Sequence, residues 1–238
     1  MLIIITELIV YVVGKSMLEA ILFDLDGTLA DTDSIHFAVW QDILVRFELD
    51  IDRAFYRQRI SGRTNSKIIK DIIPQLTLEE AWKLATEKEE AFRRLANALK
   101  PTPGLDKLID LSDEQKIKRA VVTNAPENNA HYLLKVLRLT DLFSTVILAK
   151  DAPPGKPDPA PYQLALERIG VDAENAIAVE DSAAGIRSAV GAGIYTIGIT
   201  SSHPKPDLLA AGASITIEDF NSPQLWQLLD SLLSNSVV

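Results

Sequence analysis

Six short apolar and β-branched runs punctuate the chain: "EAILFD" (19–24), "KRAVVTN" (118–124), "STVILA" (144–149), "AIAVED" (176–181), "YTIGIT" (195–200) and "ASITI" (213–217). Several are continuous rather than alternating, the pattern of strands covered by helices on both faces. Segments of helical periodicity follow most of them, including "PENNAHYLLKVLR", "PAPYQLALERIG", "SAAGIRSAVGAG" and "SPQLWQLLDSLL". The alternation predicts βαβ units and an α/β fold, a three-layer doubly wound parallel sheet.

One interval breaks this rhythm. From Asp33 to about Leu99 only helical patterns occur: "SIHFAVWQDILVRF", "DRAFYRQRI", "TNSKIIKDII" and the charged "TLEEAWKLATEKEEAFRRLANAL". So long a block exceeds an ordinary crossover and predicts an inserted α-helical domain at 33–101, between core segments 17–32 and 102–238. Pro101-Thr102-Pro103-Gly104, rich in helix breakers, marks the return to the sheet. The charged helix from Thr77 reads most simply as a solvated face.

The opening "MLIIITELIVYVV" is apolar but interrupted by Glu7, and falls short of the roughly 20 residues that span a bilayer. It lacks the basic start and cleavage site of a secretory signal. With Met17 directly before the first strand, residues 1–16 read as an N-terminal extension. The chain of 238 residues has a net charge of -9 and no cysteine. The charge disfavours nucleic acid and anionic membrane as partners; the missing thiols exclude thiol catalysis and fit the cytoplasm. A monomer or weak homodimer is expected.

Ligands of parallel α/β sheets bind beyond the carboxyl ends of the strands. There the first run ends in Asp24 and Asp26, the second in Thr123 and Asn124, and the fourth in Glu180 and Asp181, while Lys156 follows the third in "GKPDP". These groups are distant in sequence, yet all fall at one sheet edge. Four carboxylates there repel one another, by about 4 kcal/mol per pair at ~4 Å and an effective dielectric near 20. Lys156 supplies one positive charge, and Mg²⁺, which favours oxygen ligands and phosphate, suits the rest. Three scattered histidines, His36, His131 and His203, make zinc a poor fit.

The set has the parts for phosphoryl transfer. A carboxylate attacks phosphorus, a second one two residues on moves the proton, and lysine, hydroxyl, backbone amides and metal neutralise the equatorial oxygens. Gly27 permits the sharp turn that lets Asp26 face Asp24.

"DLDGT", "VVTNA", "GKPDP" and "EDSAAGI", in that order, resemble the four motifs of the haloacid dehalogenase superfamily, and the helical insertion resembles the α-helical cap of some members. The resemblance implies a Rossmann-like core with Asp24 as nucleophile and Asp26 as general acid/base. It implies Thr123 and Lys156 as phosphate ligands, Thr28 and Asn124 near the substrate, and Mg²⁺ held by Asp24, the Asp26 carbonyl, Asp181 and Glu180. The implied activity is hydrolysis of a small phosphorylated metabolite, a sugar or polyol phosphate.

Dehalogenases of the superfamily lack the second aspartate, so Asp26 points to phosphate. Members of the β-phosphoglucomutase type open with a stretch similar to "DTDSIHFAVW", but must hold a second phosphate. Asn65, Ala125 and Glu127 stand at the corresponding positions and supply no cationic or hydroxyl grip. A mutase therefore stays the alternative, with a non-catalytic phospho-accepting signalling or binding protein a further one. In the insertion, His36 and Trp40 share a helix face that is either core or substrate access. Arg63 is a candidate for a substrate anion. Asp31 and Asp33 read as turn and N-cap residues.

Overall fold

The computed structural model describes residues 17–234; the predicted extension at 1–16 lies outside the described residues. Strand β1 (Ala20–Phe23) leads into four helices, α1 (Asp33–Val45), α2 (Arg53–Arg59), α3 (Asn65–Ile72) and α4 (Leu78–Leu95). There follow α5 (Leu105–Glu114), β2 (Lys118–Thr123), α6 (Glu127–Val136), β3 (Thr145–Leu148), α7 (Ala160–Ile169) and β4 (Ala176–Glu180). The chain continues through α8 (Ala183–Gly191), β5 (Tyr195–Ile199), α9 (Lys205–Ala211), β6 (Ile215–Ile217) and α10 (Pro223–Ser234). All six expected strands form, each trimmed by one or two residues at its ends.

The sheet is wholly parallel, in the order β3-β2-β1-β4-β5-β6. Its topological switch lies at β1, which pairs with β2 on one side and β4 on the other. A crevice opens at such a point because the connections on either side leave in opposite directions.

Side chains alternate across the sheet. Ile21 and Phe23 of β1 join Val121, Val179 and Ile197 in a core under α5, α6 and α10. Ala20 and Leu22 face the other way, with Ala120, Val122 and Ala178, under α7 and α8. The small residues on this second face make room for Tyr162, which is completely buried.

Helices α1 to α4 have a core of their own, built on Val39, Trp40, Ile43, Tyr56, Ile68, Ile69 and Leu84. Helix α4 starts with a capping box in which Thr77 and Glu80 satisfy each other's backbone N–H. Its solvated reading holds for only part of its circumference, since Leu84, Lys88, Glu89 and Phe92 are buried. The physical reason is spacing: residues 84, 88 and 92 recur every four positions and form a stripe that packs inward.

Phe23 packs edge-on against Phe143 at 5.6 Å and Phe220 at 6.0 Å between ring centroids. Replacing it with alanine removes both contacts and opens a cavity beneath the site. Phe23→Ala should lose about 3–5 kcal/mol of stability, read as a lowered midpoint in urea unfolding.

Candidate active site

Lys156 organises the sheet edge. Its Nζ donates to Asp24 Oδ1 at 2.5 Å, Glu180 Oε1 at 2.5 Å and the Val122 carbonyl at 2.7 Å. These three bonds use all three ammonium protons. The loop carrying Lys156 is fixed by the Asn124 amide, which accepts from Lys156 N at 3.0 Å and donates to its carbonyl at 3.2 Å. Asn124 therefore positions the lysine from the end of β2. Thr123, also buried, accepts a hydrogen bond from Ala125 N at 2.9 Å.

Asp24, Glu180 and Asp181 are all buried, and one carboxylate oxygen of each lies within 4.8 Å of the others. One lysine cannot offset three carboxylates. Burial pushes the Asp24 carboxyl up to about 8 against the pull of Lys156, and Glu180 and Asp26 add to the rise. Burial likewise drives Asp181 well above the carboxylate range, with Asp24 and Glu180 contributing. Burial alone would lower the Lys156 pKa, but its two carboxylates overcome that and hold it above the usual lysine range.

The all-oxygen cluster fits a hard divalent cation. Two further observations agree. Glu180 Oε2 is buried without a hydrogen-bond partner among the described residues. Gly27, at φ +80°, leaves room for the cluster, since a Cβ there would fall 2.1 Å from Asp181 Oδ2.

Asp26 points into the same cavity but is held from the insertion. His36 Nε2 lies 3.2 Å from Asp26 Oδ1, and His36 Nδ1 lies 2.9 Å from Lys88 Nζ. An ammonium cannot accept, so Nδ1 accepts from Lys88 and the Nε2–H donates to Asp26. Burial would raise the Asp26 pKa, but the hydrogen bond from His36 and the nearby Lys88 charge bring it below the usual value. Lys88 is buried, which lowers its pKa against the opposing Glu89 at 2.9 Å. The His36 ring stacks on Phe92 at 4.1 Å.

A cavity of about 580 Å³ lies between sheet edge and insertion, and reaches Asp24, Asp26, Thr123, Asn124, Lys156, Asp181, His36 and Arg63. Glu180 supports it from beneath Lys156, where Tyr162 also donates to it at 2.6 Å. Thr28 is fully buried and does not reach the wall. Arg63 is committed to Asp71 at 2.9 Å and to the Arg59 carbonyl at 2.6 Å. Of the pair sharing a face of α1, His36 reaches Asp26, while Trp40 belongs to the core of the insertion and shows only an edge to the cavity. Asp33 meets Arg53 at 3.3 Å.

Sequence reasoning passed over Lys88, Glu89 and Asn129. Glu89 accepts from Asn65, Lys88 and Asn129, and Asn129 Oδ1 accepts from Arg93 at 2.6 Å, which ties α4 to α6. The available signal was a lysine on the apolar stripe between Leu84 and Phe92. Tyr162 left no comparable mark.

The fold and this edge define a doubly wound α/β enzyme core. Residues 21–199 match the family model described as haloacid dehalogenase-like hydrolase, and the chain belongs to that family. A phosphorylated carbohydrates phosphatase from Thermotoga maritima is 30% identical over 200 residues, which cover 82% of this chain and 92% of the relative. A β-phosphoglucomutase from Bacillus subtilis is 26% identical over 196 residues, covering 79% and 85%. The crystal structure of a family hydrolase from Entamoeba histolytica superposes with a TM-score of 0.80 at 28% identity, covering 91% of this chain and 99% of that one.

The raised carboxyls give a signed expectation. Asp24 has a folded pKa near 8 against an ordinary value near 4, so its contribution to stability is full below about 4 and is lost as pH rises toward 8. A cation bound there would replace the lost protons. In thermal unfolding with EDTA or Mg²⁺, the gain in Tm from Mg²⁺ should be larger at pH 8 than at pH 5, and should vanish in Asp181→Asn.

Proposed function

We propose that this chain is a Mg²⁺-dependent phosphatase of small phosphomonoesters, sugar or polyol phosphates, working through an aspartyl phosphate on Asp24. The observation that carries this reading is the placement of Asp24: buried at the end of the central strand, paired with Lys156, with Asp26 two residues on and under separate control by His36. Helices within 33–101 act as a cap over a core of 17–32 and 102–238.

Asp24 attacks phosphorus with one carboxylate oxygen, forming the acyl phosphate, while Asp26 gives a proton to the departing alcohol oxygen. Asp26 then takes a proton from water, which attacks the acyl phosphate and releases inorganic phosphate and the free Asp24 carboxylate. The fixed charge of Lys156 and the Thr123 hydroxyl stabilise the charge on the equatorial oxygens. Asp24, Asp181 and the Asp26 carbonyl would hold Mg²⁺, with Glu180 assisting; the ion would neutralise the phosphate and the crowded carboxylates. The His36 contact keeps Asp26 ionised, the form needed to accept the proton of water. An arriving phosphate adds negative charge nearby and raises the proton affinity of Asp26, which favours the acid form for the first step.

The mutase alternative gains nothing from the geometry. Asn65 is bonded to Glu89, Glu127 is paired with Lys150, and Arg63 with Asp71, so these positions offer no unpaired cation to a second phosphate. The name of the Thermotoga maritima relative points to phosphorylated carbohydrates, in line with the proposal.

Phosphate release should be measured on hexose and pentose phosphates, glycerol phosphates, phosphoglycolate and pyrophosphate, with and without Mg²⁺. Turnover is expected only with the ion. Asp24→Asn should cut kcat by about 10³-fold or more, and appreciable residual turnover there would sink the covalent route. Asp26→Asn should cost about 10²–10⁴-fold. Rapid interconversion of glucose 1-phosphate and glucose 6-phosphate without release would install the mutase instead.

A further inference from the structure

Trp82 is the outlying feature of α4. It is 68% exposed, and its ring makes no aromatic contact among the described residues, yet it stands on the wall of the catalytic cavity. Along the helix it shares one face with Ala85, Thr86, Glu89 and Arg93, all of which line that cavity. Leu78, still more exposed one turn earlier, is off the wall. The indole therefore sits at the mouth, with the reacting carboxylate at the floor.

The wall between mouth and floor mixes apolar side chains with polar groups whose charges are largely compensated. Lys88 is paired with Glu89 at 2.9 Å, and Arg63 with Asp71. Arg93 is the exception, bound instead to the Asn129 amide oxygen where α4 meets α6. Ser61, Thr64, Asn65 and Thr86 add hydroxyls and an amide beside the apolar Ile60 and Ile68. An exposed indole face above such a surface matches a hydroxylated ring: its C–H face packs on the aromatic plane, and its hydroxyls meet the amides and hydroxyls.

We infer that Trp82 is a substrate-binding residue that stacks on the neutral ring of a phosphate monoester, a pyranose or cyclitol phosphate, and so selects ring-bearing esters over short acyclic ones. This rests on the phosphatase reading and adds the mouth to it. Trp82 touches only the alcohol portion, so its removal leaves the attack on phosphorus intact and weakens the positioning of large esters. Being exposed, it can be changed without opening the core.

The test compares wild type, Trp82→Ala and Trp82→Phe on glucose 6-phosphate and glycerol 1-phosphate in the presence of Mg²⁺. Trp82→Ala should lower kcat/KM about tenfold for the hexose phosphate and less than about twofold for the glycerol ester, with Trp82→Phe between. In parallel, glucose 6-phosphate added to the Asp24→Asn variant should change tryptophan fluorescence. That change should disappear when Trp82→Phe is combined with it, and inorganic phosphate alone should not produce it. Equal losses on both esters, or a fluorescence change that survives Trp82→Phe, would overturn the inference while leaving the phosphatase reading in place. Turnover of short esters but not of the hexose phosphate would do the same. Release from no ester would remove the phosphatase reading and this one with it.

Discussion

The structure depends on one electrostatic constraint, that a single buried ammonium must hold together more negative charge than it can cancel. Lys156 commits every proton to Asp24, Glu180 and the Val122 carbonyl, so its position fixes theirs. Those acceptors come from β1, β4 and β2, three neighbouring strands of the sheet. The register of the core and the shape of the site are thus one problem. The Asn124 clamp on the Lys156 backbone is part of the same solution, because a lysine displaced by about an ångström would leave buried carboxylates unpaired. The residual negative charge, reflected in the raised Asp24 and Asp181 carboxyls, makes the edge suited to a cation.

A second chain of contacts joins the insertion to this edge. Glu89, Lys88, His36 and Asp26 form a line of hydrogen bonds from α4 to the loop after β1. Its polarity is set by the donors present: Lys88 can only donate, which selects the His36 tautomer and leaves Asp26 as acceptor. If the helices within 33–101 move relative to the sheet, the proton affinity of Asp26 must change with them, because the contact that lowers it is lost. Glu89, Asn129 and Arg93 close the same junction from the side of α6. On the proposed reading, substrate enclosure and acid–base state are linked through α1 and α4.

Much of this was legible in the sequence, for a physical reason. Strand-end residues of a parallel sheet must lie along one edge, so Asp24, Asp26, Thr123, Asn124, Glu180 and Asp181 could be gathered without knowing the strand order. The insertion was legible because helical periodicity ran too long for a crossover. Lys88 and Glu89 were not, because a buried ion pair inside a charged helix has the composition of a solvated one, and only packing separates them. Arg63 illustrates the converse: an arginine beside a cavity is read as available, whereas Asp71, eight residues away on the next helix, already occupies it. Thr28 was placed near substrate by its neighbours in "DLDGT", yet it is fully buried and lies off the cavity wall.

This division explains how relatives at 26–30% identity can carry names as different as carbohydrate phosphatase and phosphosugar mutase. The chemistry at phosphorus requires few groups, and the backbone of the sheet delivers them. On the proposed reading, the fate of the phosphoryl group then depends on which charges around the cavity are left unpaired. A cavity with spare cations can retain a second phosphate and return the first to it. Here Lys88, Arg63 and Lys150 each face a carboxylate while Arg93 meets only the Asn129 amide, so on the proposed reading the pull on a second phosphate is weakened and water is favoured as acceptor.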